Sequence, residues 1–191
     1  MTEQNVKQKI MAHGRTTVQA KGYSGLSFKE LAKDVGVKSS SIHYYFPTKG
    51  DLGGALAAQY TSDFKDYLDG VLEEDLTPVE CLQRYTNVFR DTLLNENRMC
   101  LGGIMSAEHQ ELPVEVRTEV IRFTEMNVDW IRQVLLLTLG KNATTTKALI
   151  NQQALAIFAA VQGAQLVSRG RNDISIYDTA IETYRFVGLI P

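Results

Sequence analysis

Apolar positions along this chain recur every three to four residues through most of its length, and no long run alternates as a strand does. Residues 4–21 read as a first helix, with Val6, Ile10, His13 and Val18 along one side. The turn Gly22-Tyr23-Ser24-Gly25 closes it. Phe28, Leu31, Ala32 and Val35 give a short second helix one apolar face. Ser27 and Glu30 stand in the S-x-x-E arrangement of a capping box, where hydroxyl and carboxylate each accept a backbone N–H. Gly36 stops that helix, because a positive φ is cheapest at glycine. Ser39 to Tyr45 reads as a third helix anchored by Ile42 and broken by Pro47. Thr48 and Asp51 make a second cap pair.

Ala32, Gly36 and Ile42 have the sizes and spacing that let two short helices close across a tight turn, a helix-turn-helix. The outer face of the second helix is polar: Lys38, Ser39, Ser40, Ser41, His43 and Tyr44. The bare pattern fits a surface αα-hairpin without a partner equally well.

The rest of the chain keeps the helical period. Thr48 to about Asp75 is one long segment, which begins in the head and ends in the body. Its Gly53-Gly54 pair costs about 1 kcal/mol per glycine relative to alanine. The pair marks either a close approach by another helix or a soft point. Pro78, after Thr77, starts a helix running to about Asn95. A short helix with Gly102-Gly103 near its start follows. Pro113 opens a segment to about Leu139, ended by Gly140. Asn142 to about Ser168 is alanine-rich, with Ala156, Ala159, Ala160, Gly163 and Ala164 forming a smooth face. A last helix runs from Ser175 to about Val187. The reading is all-α: a three-helix helix-turn-helix domain over 1–50, then a larger helical bundle over 51–191.

Net charge is only −2, but its distribution is uneven. The first 52 residues hold eight basic and four acidic side chains, a surplus of four, which leaves −6 on the remaining 139. A basic head on an acidic body fits a phosphate-binding module joined to something that is not one. Two cysteines, Cys81 and Cys100, are too few for a disulfide scaffold and suit a reducing cytoplasm. No uninterrupted apolar run, Val134 to Leu137 among them, approaches a membrane span, and no signal peptide opens the chain. A cytoplasmic protein with no membrane partner is expected.

Candidate chemistry is sparse. His109 has Glu108 and Glu111 beside it, but H-E-x-x-H is absent and adjacent residues do not share a helix face. No nucleophile elbow, phosphate loop or dinucleotide fingerprint occurs. No catalytic residue, metal site or cofactor is expected, so the chain does not read as an enzyme. Cys100 falls at a helix start beside Arg98, and both features favour the thiolate. A packed, inert thiol fits the same position.

Residues 10–56 resemble the DNA-binding domain of the TetR family of bacterial transcription regulators. The resemblance rests on Gly22-Tyr23-Ser24-Gly25-Leu26-Ser27, Leu31-Ala32, Val35-Gly36-Val37, Ile42-His43-Tyr44-Tyr45-Phe46 and Lys49-Gly50-Asp51-Leu52. His43 stands where the family often has Tyr. The resemblance implies a homodimeric, ligand-responsive repressor on a palindromic double-stranded operator. Its DNA contacts carry over to Ser27, Lys29, Lys38, Ser39, Ser40, Ser41, His43, Tyr44 and Lys49. Of these, Ser27 and Lys49 would hold phosphates, and Lys29, Ser40, Ser41, His43 and Tyr44 would face base edges. The body is expected to bind a small apolar or aromatic effector among Tyr60, Phe64, Tyr85, Phe89, Cys100, Met105, Phe123, Met126 and Trp130. The smooth alanine and glycine face predicts dimerisation through about 142–168 and 175–187. The stretch from Arg98 to Glu108 resembles a subgroup in which some members sense electrophiles through a cysteine at this place. A thiol-sensing repressor acting through Cys100 is therefore one alternative, and an uninduced structural DNA-binding protein is another.

Overall fold

The computed structural model describes residues 3–138 and 147–191. Among them are nine α-helices, one three-residue 3-10 turn and no strand. The helices are α1 (Glu3–Lys21), α2 (Phe28–Val35), α3 (Ser39–Tyr45), α4 (Lys49–Glu73), α5 (Pro78–Leu94), α6 (Leu101–Ala107), α7 (Val114–Thr138), α8 (Lys147–Arg171) and α9 (Ile174–Phe186). The 3-10 turn, His109–Glu111, lies between α6 and α7. The all-α reading with an N-terminal helix-turn-helix holds. The helix end expected at Leu139 and Gly140, and the start expected at Asn142, lie outside the described residues.

By its contacts the chain forms two compact units: Met1–Ser62 with Cys100–Phe123, and Asp63–Met99 with Thr124–Pro191. Helices α4 and α7 each contribute to both.

In the first unit α1 packs against α2 and α6, and α2 against α3. The buried stripe of α1 is Ile10, Gly14 and Val18, at i, i+4 and i+8. His13, expected on that stripe, is exposed. The glycine beside it takes the inward position instead: a Cβ on Gly14 would lie 3.1 Å from Leu56 Cδ1. Leu31, Ala32, Val35 and Ile42 form the small core of the helix-turn-helix. Gly36, at φ 76°, ends α2 in a Schellman closure, with Val37 N donating to Ala32 O at 2.9 Å and Gly36 N to Lys33 O at 3.1 Å.

The two expected caps fare differently. Ser27 makes no side-chain cap bond, and the Glu30 carboxylate that would complete the box instead pairs with Lys33 Nζ at 2.9 Å. Thr48 and Asp51 do close theirs: Thr48 N donates to Asp51 Oδ2 at 2.9 Å and Asp51 N to Thr48 Oγ1 at 3.0 Å. Gly53 settles the glycine pair in favour of packing, since a Cβ there would meet Tyr23 Cε2 at 2.6 Å and Val116 Cγ2 at 2.9 Å. Gly102 is tighter still, with Phe123 Cδ1 2.2 Å from where its Cβ would be.

In the second unit α5, α8 and α9 pack on one another. A Thr77–Glu80 capping box with Pro78 at the first turn starts α5. Polar ties then fix the register of the three helices. Tyr177 Oη donates to Thr86 O at 2.7 Å, and Gln165 Nε2 donates to Phe89 O at 3.0 Å. The Arg90 guanidinium grips Asp178 in a two-pronged pair, Nε to Oδ1 at 2.7 Å and Nη2 to Oδ2 at 2.9 Å. The inward face of α8 is Ile150, Ala154, Ile157, Phe158, Val161, Ala164, Gln165 and Ser168. Of the smooth face read from the sequence, Ala156, Ala159 and Gly163 are exposed.

Two glycine substitutions separate close approach from helix propensity. Gly102→Ala forces the buried Phe123 ring to move, and overpacking of this kind lowers stability by about 1–3 kcal/mol. Gly70→Ala, with nothing within 4 Å of its added Cβ, gains helix propensity of up to about 1 kcal/mol. Urea unfolding of both variants should move the midpoint in opposite directions.

Candidate nucleic-acid interface

The α2–α3 pair presents a polar surface over a single anchor. Ile42 is the only residue of α3 that is buried. Ser27, Lys29, Lys38, Ser39, Ser40, His43 and Tyr44 are exposed, and Ser41 and Lys49 half-buried. Tyr44 is 71% exposed, which for a large aromatic side chain on a helix with one apolar anchor marks a contact surface rather than a core. The His43 ring packs edge-on against Phe28 with centroids 4.8 Å apart, and its Nδ1 lies 3.2 Å from Pro47 O. A carbonyl can only accept, so that bond needs the proton on Nδ1 and leaves Nε2 as the ring's outer polar atom.

Lys49 differs from the others. Its Nζ donates to Ser24 O at 3.3 Å and lies 4.4 Å from the centroid of the Tyr23 ring. Burial lowers its pKa, and the neighbouring Glu108 charge offsets part of that. Glu108, at the end of α6, accepts from the backbone N–H groups of Tyr23 and Ser24. The sequence weighed Glu108 only as a partner of His109. Among the described residues no group of three or more potential ligands could hold a metal ion.

The nine residues expected around an effector fall into both units. Tyr60, Cys100, Met105 and Phe123 belong to the first, and Phe64, Tyr85, Phe89, Met126 and Trp130 to the second. All but Met126 are buried. In the first unit the Tyr60 and Phe123 rings stand 5.5 Å apart, and the Arg15 guanidinium lies 4.6 Å from the Tyr60 centroid. Burial pushes the Tyr60 hydroxyl pKa far up; Cys100 adds to the rise, and Arg15 offsets part of it. In the second unit Phe64, Tyr85, Phe89 and Trp130 form one cluster, with Tyr85 and Trp130 stacked at 5.5 Å. Tyr85 Oη donates to Asn127 Oδ1 at 2.9 Å and Trp130 Nε1 to Leu68 O at 2.8 Å. Cys100 is the N-cap of α6: its Sγ accepts from Gly103 N at 3.1 Å, and the residue is fully buried.

Residues 10–56, which contain this whole helix-turn-helix, match the family model described as bacterial regulatory proteins, tetR family. The HTH-type transcriptional repressor DhaR of Mycobacterium sp. (strain GP1) is 27% identical over 197 residues, spanning 100% of this chain and 96% of that protein. A crystal structure of a TetR transcriptional regulator from Legionella pneumophila superposes with a TM-score of 0.86 at 28% identity, covering 95% of this chain and 96% of that one. Residues 10–56 are a TetR-family DNA-binding domain. A further relative, the transcriptional regulator AcuR of Cereibacter sphaeroides, is 30% identical over 121 residues, 62% of this chain and 55% of that protein. With that domain, and with relatives that are transcription regulators, the chain is a DNA-binding regulator of transcription and not an enzyme. Among the described residues no helix is long and apolar enough to cross a membrane.

The cap geometry gives a paired test. Thr48→Ala removes a formed box and should lower stability by about 1 kcal/mol. Ser27→Ala removes a hydroxyl that makes no cap bond and should leave the melting temperature nearly unchanged. Calorimetry on the two variants checks both.

Proposed function

We propose that this TetR-family regulator is a homodimeric repressor that leaves a palindromic operator when a small apolar or aromatic molecule binds its body. Residues 1–50 read DNA, residues 51–191 bind the effector and dimerise, and the protein works in the cytoplasm. The observation that carries the reading is the exposed, uncharged-to-basic face of α3 over the single buried anchor Ile42, flanked by Lys29 and Lys38. Serine hydroxyls, a histidine and a tyrosine are groups that read base edges and phosphates in a major groove. The relative DhaR, named a repressor, supports the direction of control.

Dimerisation rests on the outward sides of α8 and α9. Leu155, Leu166 and Val167 are each more than half exposed, beside the exposed small residues Ala156, Ala159 and Gly163, and Phe186 is 92% exposed. Apolar surface of this extent is normally covered, and a self-complementary patch on two antiparallel helices suits a two-fold partner. The buried aromatic residues of the body supply the apolar material of an effector site. Thiol sensing through Cys100 is the weaker reading, because the sulfur is fully buried and an electrophile would reach it only after local opening.

The test is selection of duplexes from a random-sequence library by the full-length protein. The selected sites should be palindromic with half-sites about 34–36 Å apart, or a near multiple. Lys38→Ala should weaken binding across all sequences and flatten the salt slope by about one unit. Recovery of no preferred duplex would remove the reading. Phe186→Asp should shift the protein from dimer to monomer in sedimentation, and an intact dimer would move the interface elsewhere.

A further inference from the structure

The turn between α1 and α2 is gripped by one charge of each sign. Gly22 has φ 79°, and the two residues after it give their N–H groups to a single carboxylate: Tyr23 N to Glu108 Oε2, and Ser24 N to Glu108 Oε1 at 3.1 Å. Successive N–H groups after a left-handed residue form a concavity that takes an anion. Here the chain supplies that anion itself, from the end of α6, more than eighty residues away in sequence. The carbonyl of Ser24 accepts from Lys49 Nζ, the ammonium that also lies on the Tyr23 ring. Gly22 is doubly constrained: besides its φ, a Cβ there would fall 2.6 Å from Glu108 Oε2.

This grip sits between the two helix starts that flank α3. Ser27 begins α2 three residues after Ser24, and Lys49 begins α4. We propose that Glu108 is a positioning residue for DNA reading: its carboxylate fixes the turn that leads into α2 and, through Ser24 and Lys49, ties that turn to the start of α4. The proposal rests on the DNA-reading function proposed above. Each carboxylate oxygen takes one of the two N–H donors. A glutamine at 108 would keep one and present an amide N–H to the other donor, so the change of a single atom opens the grip without altering size.

The experiment compares the full-length wild type, Glu108→Gln and, as an exposed neighbour, Glu111→Gln, on a duplex selected by the wild type and on a random-sequence duplex. Amide hydrogen exchange at Tyr23 and Ser24 and the thermal melt are followed in parallel. Glu108→Gln should lose about tenfold or more in affinity for the selected duplex, the scale of one charge-assisted hydrogen bond. Its affinity for random sequence should fall less, because phosphate contacts tolerate a shifted turn better than base contacts do, and its salt slope should stay as in the wild type, because no basic side chain is removed. The Tyr23 and Ser24 amides should exchange faster, and Glu111→Gln should match the wild type throughout. Unchanged affinity of Glu108→Gln for the selected duplex would overturn the proposal. So would a parallel fall of both affinities with a lowered melt, which would make Glu108 a fold residue only. A wild type that selects no duplex overturns the DNA reading and the role of Glu108 with it, whereas a selective wild type beside an indifferent Glu108→Gln overturns Glu108 alone.

Discussion

The Tyr23 ring occupies the space a Cβ on Gly53 would need, and much of the first unit follows from that contact. The ring is 5% exposed, covered by α4 on one side and carrying the Lys49 ammonium. Glycine in the first turns of α4 costs helix stability of about 1 kcal/mol relative to alanine. Burying a large apolar side chain contributes about 1.5–3 kcal/mol, so the exchange favours the close approach. It also decides where α4 begins. With Tyr23 seated at Gly53, Lys49 falls next to Ser24, and the Thr48–Asp51 box closes the helix start at that place.

Helices of seven and eight residues do not persist alone in water, because nucleation costs more than so few hydrogen bonds return. The α2–α3 pair is therefore held from outside, by α1 beneath α2 and by the turn on Tyr23. That arrangement leaves α3 almost free of packing duties. One residue, Ile42, anchors it, and the other positions are open to the recognition proposed above. A longer, self-sufficient helix would need more apolar positions and would carry fewer readable ones.

Helix boundaries were largely legible in the sequence because their signals are local. Gly36, Thr77 with Pro78, and Thr48 with Asp51 each act within five residues, and each does what its residue type dictates. Which side of a helix faces inward was less legible. A 3.6-residue period shows that a face exists, but its centre on α1 shifted from His13 to Gly14 because Leu56, forty-two residues on, needed the space. The capping box at Ser27 looked as sound as the one at Thr48, yet Ser27 makes no cap bond, and Glu30 pairs with a lysine three residues ahead where Asp51 has a glycine. Glu108 was the least legible of all. Its sequence neighbours are His109 and Glu111, whereas its actual partners are backbone groups of Tyr23 and Ser24, which carry no side-chain signature.

The aromatic cluster of the second unit sets a condition on any effector that enters it. Its two polar tips are already satisfied, Tyr85 by Asn127 and Trp130 by the Leu68 carbonyl. Asn127 is fully buried, so a purely hydrocarbon guest that pushed Tyr85 aside would break the Tyr85–Asn127 bond away from water. Breaking a buried hydrogen bond without replacing it costs about 1–3 kcal/mol, comparable to the gain from burying a modest apolar group. A hydrocarbon guest thus gains little net affinity unless the tips stay paired. A guest with an aromatic or aliphatic body and one hydrogen-bonding group can replace the lost bond as it displaces the ring. Were the proposed effector to enter this cluster, discrimination would fall on a single polar atom within an apolar shape, with Asn127 supplying the bond that makes the distinction.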